Sequence, residues 1–143
     1  MPTKYTNTEV GKEFEKDSID RPPLIIIEEN DSTFNFDEIR EKIRFYGFDK
    51  TVTSQKESFF ISNRLDRQAA AFEIEITYFD MQHRQLHQRT VQVECEIPPG
   101  GTRRVDVKSW DTQKAFYFHQ SAAPRRQATP FDVSLRLKSL TLF

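Results

Sequence analysis

The sequence predicts an all-β protein: an antiparallel β-sandwich of about seven to eight strands carried behind a flexible N-terminal arm. Three observations predict it. Short runs alternate apolar and polar residues with the period of two that sets strand faces. Turn signals such as Asn30-Asp31-Ser32 and Pro98-Pro99-Gly100-Gly101 punctuate these runs at short intervals. No long stretch sustains the helical period, which leaves sheet packed on sheet as the architecture. A chain of 143 residues with thirteen Phe and four Gly supports one domain with a ring-rich core.

Residues 1–22 hold few apolar side chains at no sustained period and read as a mobile arm, leaving 23–143 as the domain. After Pro22-Pro23, "LIIIEE" is a short β-branched strand. The segment "FNFDEIREKIRFYGFDKTV" fits both periods; a strand over 42–48 after a short turn or helix is favoured. "SFFIS" is compact and aromatic, and "AFEIEITYFD" sets Phe72, Ile74, Ile76 and Tyr78 against Glu73, Glu75 and Thr77. The turn "DMQHRQ" leads to a strand facing Val91, Val93, Cys95 and Ile97 inward. Leu86 has the opposite parity, so a bulge or strong twist is expected near 88–90. The Pro-Pro-Gly-Gly stop ends this strand. "TRRVDVKSW" follows with Val105 and Val107 inward, then "AFYFHQ", a proline-containing loop, and a last strand facing Phe131, Val133, Leu135 and Leu137 inward.

Charge excludes more than it assigns. The net charge of −1 offers no global field for nucleic acid, although residues 102–143 carry eight Lys and Arg against three Asp. Leu24 to Ile27 is the longest aliphatic run, far below the ~20 residues of a membrane span. No signal peptide follows Met1, so the chain as it stands reads as cytoplasmic, or as periplasmic or cell-surface if a signal has been removed. The single Cys95 cannot form an intrachain disulfide.

Each candidate for chemistry has a plainer reading. His83 and His87, four apart, would share a metal on a helix; on a strand they lie roughly 13 Å apart, so exposed hairpin histidines are expected and no metal or cofactor. Cys95 has core parity and reads as an inert buried thiol. The pairs Glu73/Glu75 and Glu94/Glu96 read as solvated faces. Trp110 reads as a core anchor. The best interaction surface is basic: His83, Arg84, Arg103, Arg104, Arg125 and Arg126, with Arg89 near and Tyr117 or Phe118 as stacking partners. Edge protection is the competing explanation for these charges.

The order of strand, "ITYFDMQHRQLHQR", strand and "IPPGGTRRVDV" resembles the FxLYD-type and related immunoglobulin-like modules of bacteria, through Tyr78, Phe79, Asp80, Arg84, Leu86, Pro99, Gly100 and Thr102 over residues 57–119. His83 departs from that pattern, standing where glycine is common. The resemblance implies an immunoglobulin-like sandwich serving as an accessory or binding module, and carries no catalytic residues. The expectation is a non-enzymatic interaction module for a protein partner, monomeric or weakly dimeric, docking through a loop cluster or an exposed edge strand. The alternatives are a metal- or small-ligand-dependent enzyme using His83, His87 and His119, or a weak single-stranded nucleic-acid binder.

Overall fold

The computed structural model describes residues 24–143; the arm expected over 1–22 lies outside them. Eight strands follow in order: β1 (Ile25–Glu28), β2 (Ile43–Asp49), β3 (Lys56–Asn63), β4 (Ala69–Phe79), β5 (Gln85–Ile97), β6 (Thr102–Lys108), β7 (Phe116–Phe118) and β8 (Thr129–Leu142). One helix, α1 (Phe36–Lys42), precedes β2. Asn35 caps it by accepting from the Glu38 N–H at 3.4 Å, with Asp37 and Glu38 in its first turn and Arg40 and Lys42 in its last. At Ile43 the backbone switches to extended geometry, so the helical and strand periods of this segment are both real and consecutive.

The strands form two layers. One sheet runs β1-β8-β4-β5, with β7 also paired to β8; the other runs β2-β3-β6. All pairings are antiparallel except the three-residue β7–β8 ladder. The inward rows agree with the sequence parity. Phe72, Ile74, Ile76 and Tyr78 of β4 are fully buried against Phe59 and Ile61 of β3, and Phe131 and Leu137 of β8 join them. Each such side chain removed from water contributes about 1.5–3 kcal/mol.

Two expectations need correction. The β4–β5 bulge sits at Leu86, between the pairs Tyr78–His87 and Phe79–Gln85, while 88–90 pair regularly. The bulge turns Leu86 outward and restores core parity before Val91. Cys95 is half-buried, because a second register shift between Ala69 and Ala71 lies at its end of the ladder. Burial still pushes its thiol pKa up, against the nearby Arg103. In β8 the inward row is as expected, with Phe131 and Leu137 buried and Val133 and Leu135 between them half-buried and packed against the core.

The Pro-Pro-Gly-Gly segment is the corner that carries the chain from one sheet to the other. Gly101 N–H donates to Pro98 C=O at 2.9 Å, and Gly100 takes φ +76°, the geometry of a type II turn with proline then glycine at its centre. Buried Asn63 pins this corner. Its side-chain amide donates to the Ile97 and Arg67 carbonyls at 2.9 Å each, and its backbone exchanges bonds with Gly100 and Gly101.

Candidate functional site: an open edge between the sheets

The basic residues singled out by sequence are not one surface. Arg84 closes the β4–β5 turn, donating from Nε to Asp80 at 2.9 Å. Asp80 also accepts from the Gln82 and Arg84 N–H groups, and the Arg84 N–H above all holds its carboxyl below the usual range. His83 in this turn adopts φ +68°, so the departure from glycine is a departure in residue and not in backbone shape. Arg125 and Arg126 lie exposed in the β7–β8 loop, and the pairing of Phe79 with Asp132 places that loop at the same end of the sandwich as His83. Arg103 and Arg104 lie near the opposite end, paired with Ile61 and Phe60 and therefore on opposite faces of their sheet. Tyr117 and Phe118 do not form a stacking surface beside the arginines: Phe118 is buried and Tyr117 half-buried.

His87 lies opposite Tyr78, its ring 5.9 Å from that of Tyr78 and 6.3 Å from that of Trp110. Among the described residues no three His, Cys, Asp or Glu side chains gather as a metal site. Trp110 is half-buried, stacked on Tyr78 at 4.1 Å and edge-on to Phe131.

The strongest polar cluster was not singled out by sequence. Fully buried Glu57 accepts at Oε1 from the Tyr78 hydroxyl (2.5 Å) and Arg89 (3.1 Å), and at Oε2 from Ser109 Oγ (2.9 Å) and the Trp110 N–H (3.0 Å). Arg89 also donates to the Tyr78 oxygen and the Lys108 carbonyl. Burial and the Glu57 charge raise the Tyr78 pKa far above its ordinary value. Ser109 Oγ in turn accepts from the Asp111 N–H, linking this cluster to the buried Lys50–Asp111 pair at 3.1 Å. Burial alone would raise the Asp111 pKa, but the Ala115 and Phe116 N–H groups and Lys50 hold it below the usual range. Four hydrogen bonds engage the lone-pair sites of the Glu57 carboxylate, which is thus committed to joining the sheets and has no site free to accept a substrate proton. The parity of Glu57, Phe59, Ile61 and Asn63 was the signal that could have found it.

The unfinished part of the molecule is the outer edge of β8. Beyond β4, β8 is flanked by β7 at residues 129–131 and by β1 at 139–142, and the Glu29 N–H donates to the Lys138 carbonyl at 3.1 Å, leaving 132–137 without a strand on the outer side. The Phe131 carbonyl accepts from the His119 N–H and the Leu137 carbonyl from the Arg40 guanidinium, so these odd-numbered residues direct their main-chain groups away from β4. Alternation along the ladder gives Val133 and Leu135 the same direction. Val133 N–H is met by its neighbour Asp132 Oδ1 at 2.8 Å; the Val133 carbonyl, both Leu135 groups and the Leu137 N–H face the gap.

A groove of about 450 Å³ runs along this edge, between β8 and the facing strand β2, over Phe45, Phe48, Phe59 and Phe118. Arg40, Arg44 and Arg136 stand around it. Glu29 serves Arg40 (2.8 Å), Arg136 (2.9 Å) and Lys138, Asp37 also pairs with Arg40 at 3.1 Å, and hydrogen bonding by Lys138 leads the lowering of the Glu29 pKa. Compared with known proteins, the chain matches no family model, no curated protein and no solved structure. No helix among the described residues is long and apolar enough to cross a membrane.

Proposed function

We propose that the protein is a non-enzymatic interaction module that receives an extended peptide of its partner along the open edge of β8. The observation that carries this reading is the one-sided stretch 132–137, whose free main-chain groups border a ring-lined groove. Added strands gain affinity from main-chain bonds and specificity from pockets under alternate side chains. Here the half-exposed Val133 and Leu135 and the phenylalanine floor supply the pockets. Three arginines and Lys138 against Glu29 and Asp37 leave the rim positive, which favours acidic residues at the positions between.

The topology supports the immunoglobulin-like and FxLYD-like expectation as part of the same proposal. β3 pairs with β6 and β4 with β8, as second with fifth and third with sixth strands pair in that fold. The place of a final seventh strand beside β8 is held only at its ends, by β7 and β1.

Selection of a displayed random dodecapeptide library on the protein tests the reading, with enriched peptides titrated into wild type and Leu135→Arg. Peptides alternating apolar and acidic residues should emerge, lose affinity for Leu135→Arg, and slow hydrogen exchange of the Leu135 and Leu137 amides. Binding that leaves those amides unprotected would sink the edge as the docking site. Concentration-dependent protection of the same amides without peptide would assign the edge to a second copy of the chain instead.

A further inference from the structure

The outer face of the three-stranded sheet β2-β3-β6 carries a second constellation, which adjoins the groove at Arg44 and Tyr46. Two rows cross it. Arg44, Ser62 and Thr102 are register partners, and so are Tyr46, Phe60 and Arg104. Tyr46 stacks on Phe60 with centroids 5.5 Å apart and planes 18° apart, yet Tyr46 remains 52% exposed. Stacked rings at a cross-strand pair usually shield one another; here a large aromatic surface is held in place and left open.

The cations beside the rings are also held. Arg104 donates to Ser58 Oγ at 3.1 Å, and Arg44 to the Glu41 carbonyl at 2.8 Å. Arg64 stands exposed at the end of β3, and an open depression of about 660 Å³ lies between Arg44, Tyr46, Arg64 and Thr102. Among the described residues the carboxylate nearest these groups is Asp106, 3.8 Å from Arg104, so the patch these residues form is net positive although the chain as a whole is net −1.

We propose that this face binds single-stranded nucleic acid, with a base stacked on Tyr46 and Phe60 and the flanking phosphates on Arg44, Arg64 and Arg104. A planar ring pair offers stacking to any base, and fork-shaped guanidinium groups suit phosphate oxygens. Ser62 and Thr102 hydroxyls between the arginines add sugar or phosphate contacts. A duplex keeps its bases stacked on one another and presents no free ring face to Tyr46; a strand whose bases are splayed out does. An acidic peptide would use the arginines but not the rings.

Fluorescence anisotropy of a labelled mixed-sequence single-stranded octanucleotide, as RNA and as DNA, tests this at low salt. Binding should weaken on adding salt with a log–log slope of about −2, the value for three phosphate contacts on a single strand. Tyr46→Ala should weaken binding about fivefold or more, whereas Tyr46→Phe retains the ring and should bind as wild type. Arg44→Gln/Arg104→Gln should flatten the slope by about 1.4, while Arg125→Gln/Arg126→Gln, with the same change in net charge, should leave it alone. The proposal is overturned by absence of binding at low salt, by a Tyr46→Ala protein that binds undiminished, or by an equal loss in the Arg125/Arg126 variant.

Discussion

Lys50→Met tests how the interior is held. Lys50 Nζ is fully enclosed and donates to Asp111 Oδ2 at 3.1 Å and to the carbonyls of Phe116, Thr51 and Val52 at 2.9, 3.0 and 3.4 Å. Methionine fills the space but leaves Asp111 as an unpaired buried carboxylate, a situation that costs about 3–5 kcal/mol. That is a large part of the roughly 5–15 kcal/mol that holds a domain folded. With an m-value of about 1–3 kcal/mol/M, the urea midpoint should fall by about 1–5 M in unfolding followed by circular dichroism. Lys50→Met/Asp111→Asn removes both charges and should be more stable than the sum of the single changes predicts, with a coupling of about 1–3 kcal/mol. A folded Lys50→Met losing less than about 1 kcal/mol, or a cycle without coupling, would refute the reasoning. Should Lys50→Met fail to fold, recovery of folding in the double variant still measures the coupling. A pH arm adds a sign. The Asp111 pKa is lowered in the folded protein, so its contribution is present above the unfolded value of about 3.9 and is lost as pH falls toward the folded value. Asp111→Asn should therefore show a shallower loss of stability on acidification than wild type.

Two backbone predictions are read from the same denaturation assay. His83→Gly should stabilise the protein by about 0.5–1 kcal/mol, because the left-handed conformation costs a side chain more than glycine's added freedom when unfolded; an unchanged or lower midpoint would argue against it. Gly47→Ala should destabilise by about 2 kcal/mol or more, since φ is +68° and the new Cβ would sit 2.8 Å from the Phe60 ring. Wild-type stability in that variant would mean that the β2 bulge is not held as described.

Strand faces were legible because one side of each strand is buried and parity then fixes orientation, as in β4 and the ends of β8. Less legible was anything depending on how the two sheets meet. Glu57 and Asn63 share the inward row of β3 with Phe59 and Ile61, but their polarity hid that row until partners from β4, β5 and the loop after β6 could be seen around them. Lys50 follows the end of β2 and meets Asp111 only through the β6–β7 connection, a contact that local spacing does not encode. The arginine pairs were visible as charge, yet neighbouring positions on a strand face opposite ways, and Arg103 and Arg104 are separated for that reason. The open β8 edge depends on β7 and β1 flanking the same strand and stopping short of each other, a fact of strand order rather than of any residue.

The bulge in β2 explains how one short strand serves both candidate surfaces. Without it, Phe45 and Phe48, three residues apart, would face opposite sides of the sheet. The register shift between Tyr46 and Asp49, made at Gly47, adds one residue, so both phenylalanines turn inward. Phe45 packs edge-on to Phe59 at 6.1 Å and Phe48 against Phe118 at 5.0 Å, and together they floor the groove beside β8. Tyr46 between them is left on the outer face, stacked on the Phe60 ring that also covers Gly47. Groove and outer face are thus coupled through one glycine. Gly47→Ala should weaken peptide binding at β8 and oligonucleotide binding at Tyr46 together, whereas Leu135→Arg should affect only the first. A Gly47→Ala protein that loses one activity and fully keeps the other would show that the two surfaces do not share this bulge as their common support.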